Sequence, residues 1–187
     1  MYPYSYSHSM KAQPKPAQTF LTVLKTVTTC LMLVLTAFCA VYFLAMPVPV
    51  TSASMSPALS PGETVLSSSA MYSFAAPRRY DICAFRVNGR VYVKRIIGLP
   101  GETVRITDGH VYIDDVALMD DVTDQKAISP GLASDGVTLG DDEYFVLGDN
   151  RNNSEDSRSI SIGMVKRSQI LGRCWCRLTS LGPYRIP

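Results

Sequence analysis

Apolar residues divide this chain into three unequal parts. Residues 1–18 are polar, with three prolines and with Lys11 and Lys15, and offer no apolar face. A short mobile cytoplasmic tail is expected there. From Val27 to Met46 the chain reads VTTCLMLVLTAFCAVYFLAM, without a charge. A helix of about 20 residues spans the hydrocarbon core of a bilayer, so residues 19–46 are expected to form one transmembrane anchor. Met46-Pro47-Val48-Pro49-Val50 then ends the helix, because two prolines in three positions force extended backbone.

Beyond this break the apolar spacing shortens to the period of two that marks strands. Thr64–Ser67, Asp81–Val87, Arg90–Ile97, Glu143–Leu147 and Ile170–Leu178 are strand candidates. Val87-Asn88-Gly89-Arg90 and Thr107-Asp108-Gly109-His110 carry the Asn-Gly and Asp-Gly pairs of tight hairpins. Residues 119–141 are rich in Asp, Gly and Ser and are expected to form an exposed insertion. The fold class is therefore mainly β: residues 47–187 form an extracytoplasmic antiparallel β-sheet domain behind one N-terminal helix. About 140 residues suffice to bury one core.

Charge orients the chain. Lys11, Lys15 and Lys25 precede the apolar run, and no acidic residue appears before Glu63. The positive-inside rule places the N-terminus in the cytoplasm and the β-rich part outside, in a single-pass cell-membrane protein. Tyr42 and Phe43 suit the far membrane interface. A cleaved signal peptide is the competing reading. The run exceeds the 7–15 apolar residues of a signal peptide, and it leads directly into the serine-rich segment described next. With a net charge of +2, no polybasic signal for nucleic acid is present.

The chemistry is narrowed by what is scarce. His8 lies in the tail and His110 in a hairpin turn, neither placed for a Ser-His-Asp triad. No Cys/His cluster has zinc-ligand spacing, and no metal or other cofactor is expected. Cys83 fits a small core residue. Cys174 and Cys176 flank Trp175 on one face of a strand, a poor geometry for a bridge.

Three segments remain. Thr51-Ser52-Ala53-Ser54-Met55-Ser56-Pro57-Ala58-Leu59 could be a polar linker, but Met55 and Leu59 suit a packed segment better. In Tyr92–Glu102, alternation puts Tyr92, Lys94 and Ile96 on one face and Val93, Arg95 and Ile97 on the other. One cation on each face of an apolar strand leaves at least one hard to solvate. Lys94 is either a snorkelling surface lysine or a desolvated amine with a lowered pKa. Gly148–Arg158 follows the strand EYFVL and is either a plain turn or a buried polar network.

Taken in order, these segments resemble the boxes of bacterial type I signal peptidases. The family pattern S-x-S-M-x-P-T-L is matched by Ser52–Leu59, with Ala58 in place of Thr. R-G-D-I-V-x-F is approximated by Arg79–Phe85, with Tyr80 in place of Gly. Tyr92–Glu102 matches Y-x-K-R-x-x-G-L-P-G-[DE], and Gly148–Arg158 matches G-D-N-x-x-x-S-x-D-S-R. Extra residues separate Arg158 from Gly163.

The resemblance implies coiled, barrel-like sheets and a serine endopeptidase acting through a Ser–Lys dyad, with Ser54 the nucleophile and Lys94 the base. It implies that Ser52 completes the oxyanion hole, that Ser154 orients the lysine, and that Asp156 and Arg158 form a supporting pair. It implies pockets for small side chains lined by Val48, Val50, Tyr92 and Val93. The implied partners are exported preproteins bearing signal peptides, cut after A-x-A-like sites, and the lipid bilayer. A catalytically idle, tethered β-domain and a Ser–Lys protease of another kind are the alternatives.

Overall fold

The computed structural model describes residues 16–119, 126–127, 129–179 and 182–186, with the side chains of 16–17 and 42–44 excepted. Residues 1–15 of the expected tail at 1–18, and the side chains of Tyr42 and Phe43, lie outside that set.

The first unit is a helix, α1 (Pro16–Leu44). Among the described residues it is the one helix long and apolar enough to cross a membrane, over Gln18–Val41. Five of its threonines bond their hydroxyls back to the helix. Thr22, Thr26, Thr29 and Thr36 each donate to the carbonyl four residues back, and Thr28 to the carbonyl three back. Such bonds let a hydroxyl sit in an apolar helix without an unpaired donor.

The second unit is built from strands. β1 (Met46–Pro49), β2 (Thr64–Ser68), a one-turn helix α2 (Met71–Phe74), β3 (Ile82–Val87) and β4 (Arg90–Gly98) come first. They are followed by β5 (Thr103–Thr107), β6 (His110–Ile113), β7 (Val116–Ala117), β8 (Val137–Thr138) and β9 (Glu143–Leu147). β10 (Val165–Lys166), β11 (Ile170–Thr179) and β12 (Gly182–Arg185) complete the set. The larger sheet runs β1-β2-β11-β3-β4-β9-β10, with β12 also on β11; the smaller runs β7-β6-β5-β8. Every pairing is antiparallel. Bulges at Ile96/Gly98, Ile170/Gly172 and Cys174/Cys176 bend the larger sheet.

Local chemistry explains the frame. Pro47 and Pro49 lie on β1, which is an edge strand, where a missing N–H breaks no interior ladder. Asn88-Gly89 and Asp108-Gly109 all take positive φ, as two-residue hairpin turns require. Three buried clusters hold the sheets together. One gathers Val48, Val50, Met55, Leu59, Val65 and Val93; a second surrounds Phe85, Ile96 and Val146; a third joins the small sheet through Ile97, Val104 and Phe145.

One expectation is narrowed and one is corrected. Most described residues of the 119–141 segment are exposed, but three apolar side chains reach the core. Ala127, Ala133 and Leu139 are buried in the third cluster, and Val137 pairs with Val104. Its few apolar residues are spaced too irregularly among polar ones to register as a strand or helix period. Cys174 and Cys176 also escape simple alternation. Trp175 is the extra residue of a bulge, so Cys174 pairs with Ser67 and Cys176 with its neighbour Leu66. The thiols consequently have different surroundings, Cys174 inside the first cluster and Cys176 outside all three.

Candidate active site

Ser54 sits in a single 3-10 turn, Ala53–Met55, between β1 and β2. Two apolar anchors hold that turn. Met55 and Leu59 are both fully buried, and Leu59 N–H donates to the Met55 carbonyl at 2.8 Å. These are the residues that looked out of place in a polar linker.

Lys94 comes from the middle of β4 and is only 2% exposed. Its Nζ donates a short hydrogen bond to Ser54 Oγ. Ser52 Oγ lies 3.0 Å from Ser54 Oγ. Burial lowers the Lys94 pKa from 10.5 to about 8, because water no longer solvates the ammonium. Asp156, Glu155 and Asp149 oppose this by attracting the charged form, and Arg158 adds to it. Desolvation outweighs the carboxylates.

The loop after β9 frames both groups from behind. Asn150 N–H donates to the Ser54 carbonyl at 3.1 Å, and its side-chain amide donates to the Ala53 carbonyl at 3.3 Å. Gly148 packs so closely that a Cβ there would stand 2.5 Å from the Ser54 carbonyl oxygen and overlap Ser154 Oγ. Only glycine fits that approach. Asp149 takes a bidentate pair from Arg95, both bonds 2.8 Å, with both side chains buried. Arg158 forks onto Asp156 at 2.8 and 2.9 Å, while Asp156 also accepts the Gly148 N–H. Gly131-Leu132 closes against this loop, with Leu132 N–H donating to the Arg158 carbonyl.

The cleft that opens over Ser54 has a volume of about 800 Å³ and is lined by Val50, Ser52, Tyr92, Val93, Lys94 and Ser154, among others. Among the described residues no histidine lines it. Of the four residues expected to shape substrate pockets, Val50, Tyr92 and Val93 are present. Val48 is not; it packs in the first core cluster, where its strand turns it inward. Ser154 also departs from expectation. It borders the cleft, but its buried Oγ makes no hydrogen bond, so it does not hold Lys94 in this structure.

A family model described as signal peptidase, peptidase S26, matches residues 23–179. The chain belongs to the S26 signal peptidase family. Relatives agree with the assignment. A probable signal peptidase I-2 of Synechocystis is 34% identical over 177 residues, covering 90% of this chain and 78% of its own. A signal peptidase I of Leptolyngbya laminosa is 35% identical, covering 72% of this chain and 71% of its own. A crystal structure of a signal peptidase I from Enterococcus faecalis V583 is 37% identical, covering 52% of this chain and 95% of that one, with a TM-score of 0.44.

In this S26 family peptidase two buried cysteines are excluded as nucleophiles. Burial pushes the Cys83 thiol well up and the Cys174 thiol to about 12, so neither is a nucleophile at neutral pH. Among the described residues no group of His, Cys, Asp and Glu could hold a metal. Sequence reasoning missed Asp149 and Asn150 as individuals. Their signal was present but indirect: two neighbouring cations on β4 require two separate buried solutions, and Asp149 supplies the one for Arg95.

Proposed function

We propose that this peptidase is a membrane-anchored serine endopeptidase that removes N-terminal signal peptides from exported preproteins. Ser54 is the nucleophile and Lys94 the general base. The observation that carries this reading is the buried contact between Lys94 Nζ and Ser54 Oγ, in a cleft without histidine.

The buried Lys94–Ser54 contact supports the following chemistry. In its neutral form Lys94 accepts the Ser54 hydroxyl proton through its lone pair. Ser54 Oγ then attacks the carbonyl carbon before the scissile bond. In this reading the Ser54 N–H and the Ser52 hydroxyl stabilise the oxyanion, and one such donor is worth roughly 3–4 kcal/mol. The Lys94 ammonium returns its proton to the leaving amine, and a water activated by the regenerated amine hydrolyses the acyl-enzyme. Val50, Tyr92 and Val93 restrict the residues before the cut to small side chains such as Ala. Asp156–Arg158 and Arg95–Asp149 support the loop and do no bond-making chemistry.

The anchor has a physical role in this reading. An exposed apolar helix of this length is stable in a bilayer, and Lys11, Lys15 and Lys25 keep its N-terminus cytoplasmic. The β-domain is then confined to the membrane surface, which raises its effective concentration for substrates confined there too.

The test uses full-length protein in neutral detergent micelles and a peptide with an A-x-A site. Cleavage is expected after the second Ala, and to vanish in Ser54→Ala and in Lys94→Ala while both keep the far-UV spectrum of the parent. Continued cleavage by either variant removes the pair from the mechanism.

A further inference from the structure

A second cleft, of about 750 Å³, shares no lining residue with the one over Ser54. β4 supplies both. As neighbours on a strand, Lys94 and Arg95 leave opposite faces, so Lys94 enters the first cleft and Arg95 the second.

Among the described residues, the second cleft is lined by five arginines and no lysine, with Asp81 as the one carboxylate. Three of the arginines are neutralised internally: Arg79 by Glu102, Arg95 by Asp149 and Arg173 by Asp81. Among the described residues the other two have no such partner. Arg177 donates to the Ala58 carbonyl at 3.1 Å and lies over the Tyr184 ring, neither of which carries charge. Arg185, exposed on β12, has no ion pair among the described residues. Two uncompensated guanidinium groups at a concave surface focus a positive potential. Pro57, Ala58 and Ile186 add an apolar wall.

We propose that this arginine cleft binds a phosphate-bearing anion, with Arg177 and Arg185 as its charge partners. The planar guanidinium matches phosphate oxygens two at a time, which a lysine does not. The phosphate can belong to an acidic phospholipid headgroup or to a soluble phosphate. An apolar wall beside the cations favours the lipid. The site is independent of the peptidase reading and needs no catalytic activity to be measured.

Trp175, the only tryptophan, lies on β11 between Arg173 and Arg177 and serves as an internal probe. Its fluorescence is followed in full-length protein in neutral detergent during titration with dihexanoyl phosphatidylglycerol, dihexanoyl phosphatidylcholine or inorganic phosphate. Saturable binding of the phosphatidylglycerol is expected. It should weaken at least tenfold in Arg177→Gln/Arg185→Gln, recover in Arg177→Lys/Arg185→Lys only in part, and fall with added salt. Equal affinity for inorganic phosphate identifies a soluble ligand and keeps the site; weaker phosphate binding identifies the lipid. Equal affinity for the zwitterionic lipid, unchanged affinity in the Gln variant, or no saturable binding by either phosphate probe overturns the proposal. Arg185 is exposed, so Arg185→Gln alone tests the charge without risk to folding, and a twofold or greater loss is expected from it.

Discussion

The depressed pKa of Lys94 makes a quantitative demand on both rate and stability. At pH 7 a lysine with the ordinary value of 10.5 is neutral in about 0.03% of molecules, whereas one at about 8 is neutral in about 10%. Burial thus raises the population of neutral Lys94 amine, the form the proposed base requires, about 300-fold, equivalent to about 3 kcal/mol. The same number acts against folding. Because the folded pKa lies below the unfolded one, the unfolded chain binds the extra proton between about pH 8 and 10.5. Stability must therefore rise with pH across that window, and below it the full cost of about 3 kcal/mol is present.

Two assays read these consequences. The value of kcat/KM should climb about tenfold per pH unit below pH 8 and level off above it. Lys94→Met, which keeps the length and drops the charge, should be inactive yet more stable than the parent at pH 7. By denaturant unfolding, that margin should shrink by about 2 kcal/mol as pH approaches 10. A rate profile flat from about pH 6 to 9, or one inflecting near 10.5, would refute the claim that burial neutralises Lys94. A stability margin independent of pH would refute it separately.

Other substitutions probe the frame around the pair. Ser154→Ala removes a buried hydroxyl that has no partner, so its stability should move by less than about 1 kcal/mol in denaturant unfolding. If that hydroxyl orients Lys94 during turnover, kcat falls while KM holds; an unchanged kcat excludes the role. Gly148→Ala places a Cβ against the Ser54 carbonyl, which cannot retreat without moving the Ser54 turn. A loss of about 1–3 kcal/mol by thermal unfolding and a drop of at least tenfold in kcat are expected. Asp149→Ala strands the Arg95 guanidinium with only the Tyr80 carbonyl for company. A cost of about 3–5 kcal/mol should appear as a large fall in the urea midpoint, and a cost below about 1 kcal/mol would show that the pair is not structural.

Local periodicity and chain chemistry are enough to place the helix, the five longest strand candidates and both hairpin turns. Each depends on neighbours a few residues apart: an uninterrupted apolar run, alternation, or an Asn-Gly or Asp-Gly pair that tolerates positive φ. The helix ends at Leu44 and Met46 already pairs with Ser67, so even the proline break is local. The order of motif residues was likewise enough to single out Ser54 and Lys94.

What only the tertiary structure decided is which partners meet across long stretches of chain. Ser54 and Lys94 stand 40 residues apart, and Arg95 and Asp149 stand 54 apart. No periodicity encodes those meetings; they arise because β4 runs antiparallel to both β3 and β9 and so brings the turn, the strand and the loop to one place. Whether Lys94 is solvated or stripped of water is a property of everything packed around it, not of its neighbours in sequence. The same holds for Ser154, whose hydroxyl finds no partner, for the buried alanines of a segment that reads as polar, and for the bulge that separates Cys174 from Cys176.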